Sequence, residues 1–342
     1  MAKIRGVNLG GWFVLEKWMR PDLFENISGP DETVFSIENK HAADQLARHW
    51  ETFIDENDIK KIKALGINAI RLPLPWWFLG EKPYIARVDV IDKVIAMLEK
   101  YELDYLLDLH TAPGCQNGFD NGGITGVIDW PKDPNNIDVT IEKLAFLASR
   151  YGRNQHILGI EVLNEPARSI DIKLIQDFYL RSYRAIHPLT AALIVFHDAF
   201  RPTDPSWKSF FSEHQFTNVA FDVHLYYCFA PHYAEFSLKQ LIDNILGETA
   251  TMLQSINEFI PVIVGEWSLG LDEKRFQTMD KFEIDTYLRT FANAQLISYE
   301  RLYGWFFWSY HIRRESHRSW DFGRLVNDGV LPNKFSNDEV SK

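Results

Sequence analysis

Eight short runs of β-favouring apolar residues recur along this chain, at 4–11, 68–74, 104–110, 157–166, 192–200, 218–227, 261–268 and 303–310. Between them, apolar residues fall three and four apart over 52–65, 88–101, 137–151, 171–186, 205–213, 237–259 and 280–298, which predicts amphipathic helices. Gly66 and Gly152 stand where two of these helices must stop. The segment 12–49, with Pro21, Gly29 and Pro30, reads as a long loop, and so does 115–136. Eight strands alternating with seven helical connections in 342 residues predict an α/β protein, a single (β/α)8 barrel over 1–342. No glycine- or proline-rich linker divides the chain. A doubly wound sheet is the alternative, but no GxGxxG follows the first run.

The run ILGIEVLNEP (157–166) is the most informative. Ile157, Leu158, Ile160, Val162 and Leu163 suit a parallel strand covered on both faces. Pro166 cannot donate to a sheet ladder, so the strand stops and leaves Asn164 and Glu165 at its carboxyl end. That is where α/β barrels build active sites. Capping of the next helix would explain a lone Glu-Pro, but a second run has the same design. In PVIVGEWS (261–268), Glu266 ends a strand 101 positions after Glu165.

The other strand ends carry Asn8, Arg71, His110, His197, Asp198, His224, Tyr226 and Trp308. Taken singly, each has an ordinary structural explanation: a surface ion pair, a satisfied core histidine, a core tryptophan. A barrel brings all of them to one face. Two carboxylates on either side of an anomeric carbon are the equipment for glycoside hydrolysis, one protonated to donate and one ionised to attack. Asn164 is placed to bond a sugar hydroxyl. Arg71 and Tyr226 are expected to hold Glu266 ionised, and a drier setting to raise the pKa of Glu165. The same carboxylates with His110 and His224 suit a metal, but no HExxH or close His/Asp cluster occurs, so no metal or cofactor is expected.

A net charge of −11 argues against a nucleic-acid partner, and no apolar stretch approaches membrane-spanning length. Eleven Trp, thirteen Tyr and twenty-four Phe favour stacking on sugar faces. The absence of a visible leader and the presence of only Cys115 and Cys228 predict a cytoplasmic protein without a disulfide framework. Both thiols are expected to be free and close to the pocket.

The motifs RLPL, DLHTAPG, LNEP, HLY, GEWS and WFFWS, in this order, resemble glycoside hydrolase family 5 of clan A. RGVNLGGWFVLEKWM, HTAPGCQNGFDNGG and FHDAF look more narrowly like its exo-β-1,3-glucanase branch, known from yeasts and other fungi. The likeness runs from Arg5 to about Pro332. It implies a retaining double displacement with Glu165 as general acid/base and Glu266 as nucleophile. It also implies that Arg71, His110, Asn164, His224, Tyr226 and Trp308 surround the first sugar. Glu16, Asp120 and Asn121 match positions that contact sugar hydroxyls, and Phe119 and Phe229 match a clamp on the next sugar. Fungal members carry a long segment after the nucleophile strand; here twelve residues, Leu269 to Asp280, separate Ser268 from the next helix.

The expected activity is therefore removal of glucose from the non-reducing ends of β-glucosides or β-1,3-gluco-oligosaccharides. Alternatives are an endo-acting β-glucanase, a β-glycosidase releasing a disaccharide unit, and a carbohydrate-binding barrel without catalysis. The last is disfavoured because both glutamates and their supporting residues are present. The long 12–49 and 115–136 segments favour a closed pocket over an open cleft.

Overall fold

The computed structural model describes residues 3–335. Its strands and helices run β1 (Ile4–Asn8), α1 (Glu32–Glu38), α2 (Ala42–Thr52), α3 (Glu56–Ala64), β2 (Ala69–Leu74), α4 (Val88–Lys100), β3 (Asp104–Leu109), α5 (Pro134–Tyr151), β4 (Ile157–Glu161) and α6 (Ile172–Ile186). They continue with β5 (Leu193–His197), α7 (Ser206–His214), β6 (Val219–Leu225), α8 (Pro231–Glu235), α9 (Leu238–Asn244), α10 (Ala250–Asn257), β7 (Val262–Trp267), α11 (Lys281–Tyr299), β8 (Gly304–Phe307) and α12 (Phe322–Asn327). All eight strands are parallel and pair in sequence order, and β1 pairs with β8 to close the ring. The expected (β/α)8 barrel is what forms. At the seam, Arg5 bonds the Glu300 carboxylate at 2.8 Å and the Phe335 carbonyl at 2.6 Å. No helix among the described residues is long and apolar enough to cross a membrane.

Two expectations change. The segment 12–49 is not a bare loop, because α1 and most of α2 lie inside it. Asp31 caps α1 by accepting from Val34 N–H, and Glu32 is buried, accepting from Leu15 N–H at 2.8 Å and the Trp77 indole at 3.3 Å. Burial pushes the Glu32 carboxyl up to about 8. The expected helix over 52–65 forms but starts later: α2 ends at Thr52, and Asp55 opens α3 at Glu56 through a capping box with Asp58. Ser237 and Gln240 make a similar box at the start of α9, which runs through a wider π turn, Ile245–Thr249, into α10.

Strand periodicity decides what reaches the barrel interior. Ile70, Leu72, Leu107, Phe196, Phe221, Val223 and Val264 face outward and join one core with the helices. Ala69, Leu106, Val195, Ala220, Ile263 and Phe306 fill the lower interior. One step up β1 to β6, the inward positions turn polar: Asn8, Arg71, Asp108, Glu161, His197 and Asp222, all fully buried. The apolar floor thus carries a charged layer, and the strand ends stand on that layer.

A bulge in β7 breaks this rhythm. Val223 pairs with Val264, but His224 pairs with Glu266, which leaves Gly265 as an extra residue. With Ile263 inward and strict alternation, Glu266 would point outward. The bulge turns it back into the barrel. Gly265 is required there, because a Cβ would lie 1.9 Å from Asp222 Oδ2. Its N–H donates to Asp222 Oδ1 at 2.6 Å, and its carbonyl accepts from Asn8 at 2.9 Å.

Candidate active site

Glu266 and Glu165 meet across one imidazole. His224 Nδ1 lies 2.8 Å from Glu165 Oε1 and 3.4 Å from Glu266 Oε2, so those two oxygens are at most 6.2 Å apart, the sum of the two distances. Retaining glycosidases hold their carboxyls about 5–5.5 Å apart and inverting ones about 6.5–9.5 Å. The bound on this pair of oxygens is compatible with the retaining spacing.

Each carboxylate has its own donors. Glu266 accepts from Arg71 Nη1 at 2.9 Å and from the Tyr226 hydroxyl at 2.6 Å. Glu165 accepts from the Asn121 amide at 2.9 Å, and Asn117 holds Asn121 from behind at 2.9 Å. The ladder of β4 ends at Glu161, earlier than Pro166 alone would require. Glu165 sits beyond it with φ +45°, a left-handed conformation in which non-glycine residues are uncommon. Gln116 anchors this turn, donating to the carbonyls of His110 and Asn164 at 2.9 Å each.

Arg71 organises the floor. Its guanidinium reaches Glu161 (2.8 Å), Asn8 (3.0 Å), Asn164 (2.8 Å) and Asp108 (3.1 Å) besides Glu266, joining β1, β2, β3, β4 and β7. His110 Nδ1 is 2.5 Å from Asp108, and its ring stacks on Trp308 at 5.5 Å and 6°. Sequence reading overlooked Asp108, Glu161, Asp222 and Gln116. The first and third had a signal: Asp-x-His occurs in both DYLLDLH and FDVHLY, where two-residue spacing puts each Asp directly beneath its His.

The remaining expected residues surround this centre. Trp18 donates to Glu16 Oε2 at 2.7 Å, and burial, then the Asp120 charge, holds the Glu16 carboxyl well above its usual range. Burial also raises Asp120. Phe119 and Phe229 are exposed, by 51% and 73%. Phe229 lies 5.4 Å from the Tyr226 ring, within a group that adds Trp320 and Trp18, which the sequence reading did not single out.

The expected order of the two glutamates is reversed in the free protein. Burial would raise Glu165, but the hydrogen bond and charge of His224, with Asn121, outweigh it and leave its pKa below the ordinary carboxylate value. Burial raises Glu266, and with a smaller contribution from Glu165 it prevails over the lowering by His224 and Arg71. Burial would lower His224, yet Glu266, Asp222 and Glu165 overcome that and keep it a cation. The proton that was assigned to Glu165 thus rests on the imidazole beside it. Two side-chain groups of metal-ligating type converge here, Glu165 with His197 and His224, and Glu161 with Asp222 and His224; in either, a metal would have to displace the proton of His224.

The cysteines depart from expectation in one respect. Neither is in a disulfide, but Cys115 is fully buried, accepting from Gly118 N–H at 3.2 Å, and does not line an accessible wall. Cys228 is partly exposed, and burial pushes its thiol up to about 12.

A sequence model of the family described as Cellulase (glycosyl hydrolase family 5) matches residues 31–313. The chain belongs to glycoside hydrolase family 5. Among its family relatives, a glucan 1,3-beta-glucosidase of Schwanniomyces occidentalis is 32% identical over 98% of this chain and 89% of its own. Glucan 1,3-beta-glucosidase 1 of Schizosaccharomyces pombe is 31% identical over 99% and 90%. In structure, a rutinosidase from Aspergillus niger superposes with a TM-score of 0.77 at 20% identity, covering 96% of this chain and 97% of that one. A family 5 endoglucanase from an uncultured bacterium gives 0.62 at 13% identity, covering 96% and 93%. These two likenesses concern the fold.

Proposed function

We propose that the protein is a retaining glycosidase that removes glucose from the non-reducing ends of β-1,3-linked gluco-oligosaccharides and related β-glucosides. The observation that carries the proposal is the pair of glutamates bridged by His224, with Arg71 and Tyr226 on Glu266. The 1,3-glucosidase reading draws support from the curated relatives, which align over nearly the whole chain.

In the first step Glu266 attacks the anomeric carbon as the bond to the leaving oxygen breaks, and Glu165 gives that oxygen a proton. The proton reaches Glu165 from His224 Nδ1, 2.8 Å away, as a bound sugar displaces water and the charges redistribute. In the second step water attacks the same carbon, Glu165 takes its proton, and Glu266 leaves as the carboxylate. Arg71 and Tyr226 keep Glu266 ionised before attack and receive its charge again afterwards. Asn164, fixed by Arg71, faces the 2-hydroxyl; His110, Trp308, Glu16, Asp120 and Asn121 bind the rest of the first sugar. Phe119 and Phe229 hold the leaving sugar. A reducing, cytoplasmic setting is part of the proposal, supported by two cysteines that remain unpaired in the fold, and cell fractionation tests it.

The test is early-time NMR of products from laminari-oligosaccharides. β-Glucose appearing first, with the substrate shortened by one unit, is the expected outcome. Initial α-glucose would overturn retention, and longer initial products would overturn exo action. Glu266→Gln should abolish turnover while the protein stays folded.

A further inference from the structure

Beneath the catalytic pair lie three polar atoms that the hydrogen bonding of the fold leaves unpartnered: Glu161 Oε1, Asp222 Oδ2 and His224 Nε2. All three residues are buried, and one donor atom from each lies within 4.8 Å of the others. Their remaining oxygens are occupied, Glu161 Oε2 by Arg71 Nε at 2.8 Å and Asp222 Oδ1 by Gly265 N–H at 2.6 Å. His224 Nε2 is 3.4 Å from Asp222 Oδ2. Such orphaned groups in a sealed interior are costly and call for an explanation.

The charges that face this point come from every side. Arg71 lies on β2, Asp108 and His110 on and just past β3, Glu161 on β4 with Glu165 beyond it. His197 ends β5 and Asp198 follows it; Asp222 and His224 are on β6 with Tyr226 just past it; Glu266 is on β7. The groups contributed by β1 and β8, Asn8 and Trp308, are neutral. His197 is neutral too: its Nδ1 accepts from Ala199 N–H at 2.9 Å, and burial with the His224 charge holds it well below the ordinary imidazole value. Three carboxyls below the site and two within it therefore share Arg71 and His224 as their main cations. Two ionised carboxylates this close would repel, and the cations beside them, Arg71 and His224, are already shared with Asp108, Glu165 and Glu266.

We propose that Glu161 is a carboxylic acid in the working enzyme, its proton shared with Asp222 directly or through one water, and that this acid–anion pair fixes His224 as the cation beside Glu165. Glu161 is the member that takes the proton because Asp222 already has His224 and Gly265 N–H to stabilise its charge. Burial acts in the same direction on Glu161, against the Arg71 charge. In this role Glu161 is a positioning residue, acting on the reaction through Asp222 and His224. The inference rests on the reading of Glu165 as acid/base.

The test compares Glu161→Gln with Asp222→Asn by the pH dependence of kcat/KM on laminaribiose. Its alkaline limb belongs to the coupled cluster as a whole. Glutamine mimics the neutral acid and removes no charge, so the limb should stay in place. Asparagine removes an anion, so protons leave the cluster more easily and the limb should move down by about 1–3 units. The limb's position is read, and the height of the profile is not. A limb lowered equally by both substitutions would show Glu161 to be an anion, and a limb unmoved by Asp222→Asn would uncouple Asp222 from the site; either overturns the proposal. Infrared spectroscopy supplies a readout independent of turnover, taken on variant protein shown to be folded by its melting transition. Glu32 and Glu16 also contribute carboxylic-acid carbonyl intensity at neutral pH, so the readout is the difference: wild type minus Glu161→Gln should show one deuterium-sensitive carboxylic-acid band, and a difference spectrum without it would also overturn the proposal. Failure of the Glu165 assignment is seen separately, as equal inactivity of Glu165→Ala on activated and unactivated glucosides.

Discussion

Replacing Tyr226 by phenylalanine deletes one oxygen and leaves the ring where it packs, 5.3 Å from Trp320 and 5.4 Å from Phe229. What disappears is the 2.6 Å hydrogen bond to Glu266 Oε2. A buried hydrogen bond to a charged acceptor contributes about 1.5–3 kcal/mol. At about 1.36 kcal/mol per unit, its loss should raise the proton affinity of Glu266 by about 1–2 pH units. Glu266 already stands above the ordinary carboxylate value because of burial and Glu165, so the shift carries it closer to the working range. The acid limb of kcat/KM for an aryl β-glucoside should therefore move upward by that amount. Loss of activity should be greatest on the acid side and shrink as pH rises, because Glu266 is then ionised in both proteins. A uniform loss at every pH, with the limb in place, would refute this reasoning and put Tyr226 to work in the transition state instead. The melting temperature should change little, which separates the effect from lost packing.

Glu165→Ala should spare glycosyl-enzyme formation from substrates with good leaving groups and fail on laminaribiose, with azide restoring turnover; no response to azide would remove Glu165 from the acid/base role. Phe119→Ala and Phe229→Ala should each weaken di- and trisaccharide hydrolysis by about 0.5–1.5 kcal/mol, several-fold, and small aryl glucosides less; equal losses with reduced melting temperature would mean packing instead. Glu32, with its folded pKa raised to about 8, favours folding fully only below its ordinary value of 4.5, and that contribution is lost as pH rises through about 8. Glu32→Gln should thus gain stability relative to wild type between pH 5 and 8 in denaturant titrations, and a pH-independent difference would count against the assignment. A bulky thiol reagent should modify Cys228 and leave Cys115 untouched in the native protein, as read by mass spectrometry of peptides; prompt labelling of both would contradict the buried placement of Cys115.

The barrel was legible because its strands are covered on both faces and so appear as apolar runs, while the surrounding helices keep their own spacing. Glu165 and Glu266 were legible because each ends such a run. Helix boundaries around residue 53 were not, since Phe53 and Ile54 fit the spacing of both neighbours and only the cap at Asp55 separates them. The charged layer of Asp108, Glu161 and Asp222 was hidden for a different reason. Mid-strand carboxylates stand where apolar residues are expected, and nothing local says that Arg71 will reach them from another strand. The proton balance of the glutamates escaped as well, because it depends on the distance from His224 to both, which only closure of the ring sets.

Gly265 makes the nucleophile a matter of counting. If that one residue paired regularly instead of bulging, every proposed catalytic side chain would still be present in the sequence, and the letters on either side would still spell a strand. Yet the phase of β7 would then be that of strict alternation, with Gly265 inward, Glu266 turned toward the helices, and its neighbour's indole, Trp267, carried into the sugar's place. Strand ends in this barrel behave like a reading frame, and a relative that keeps the glutamate and the residue before it but pairs them without the bulge would be a barrel of the same shape with no carboxylate there to act as nucleophile.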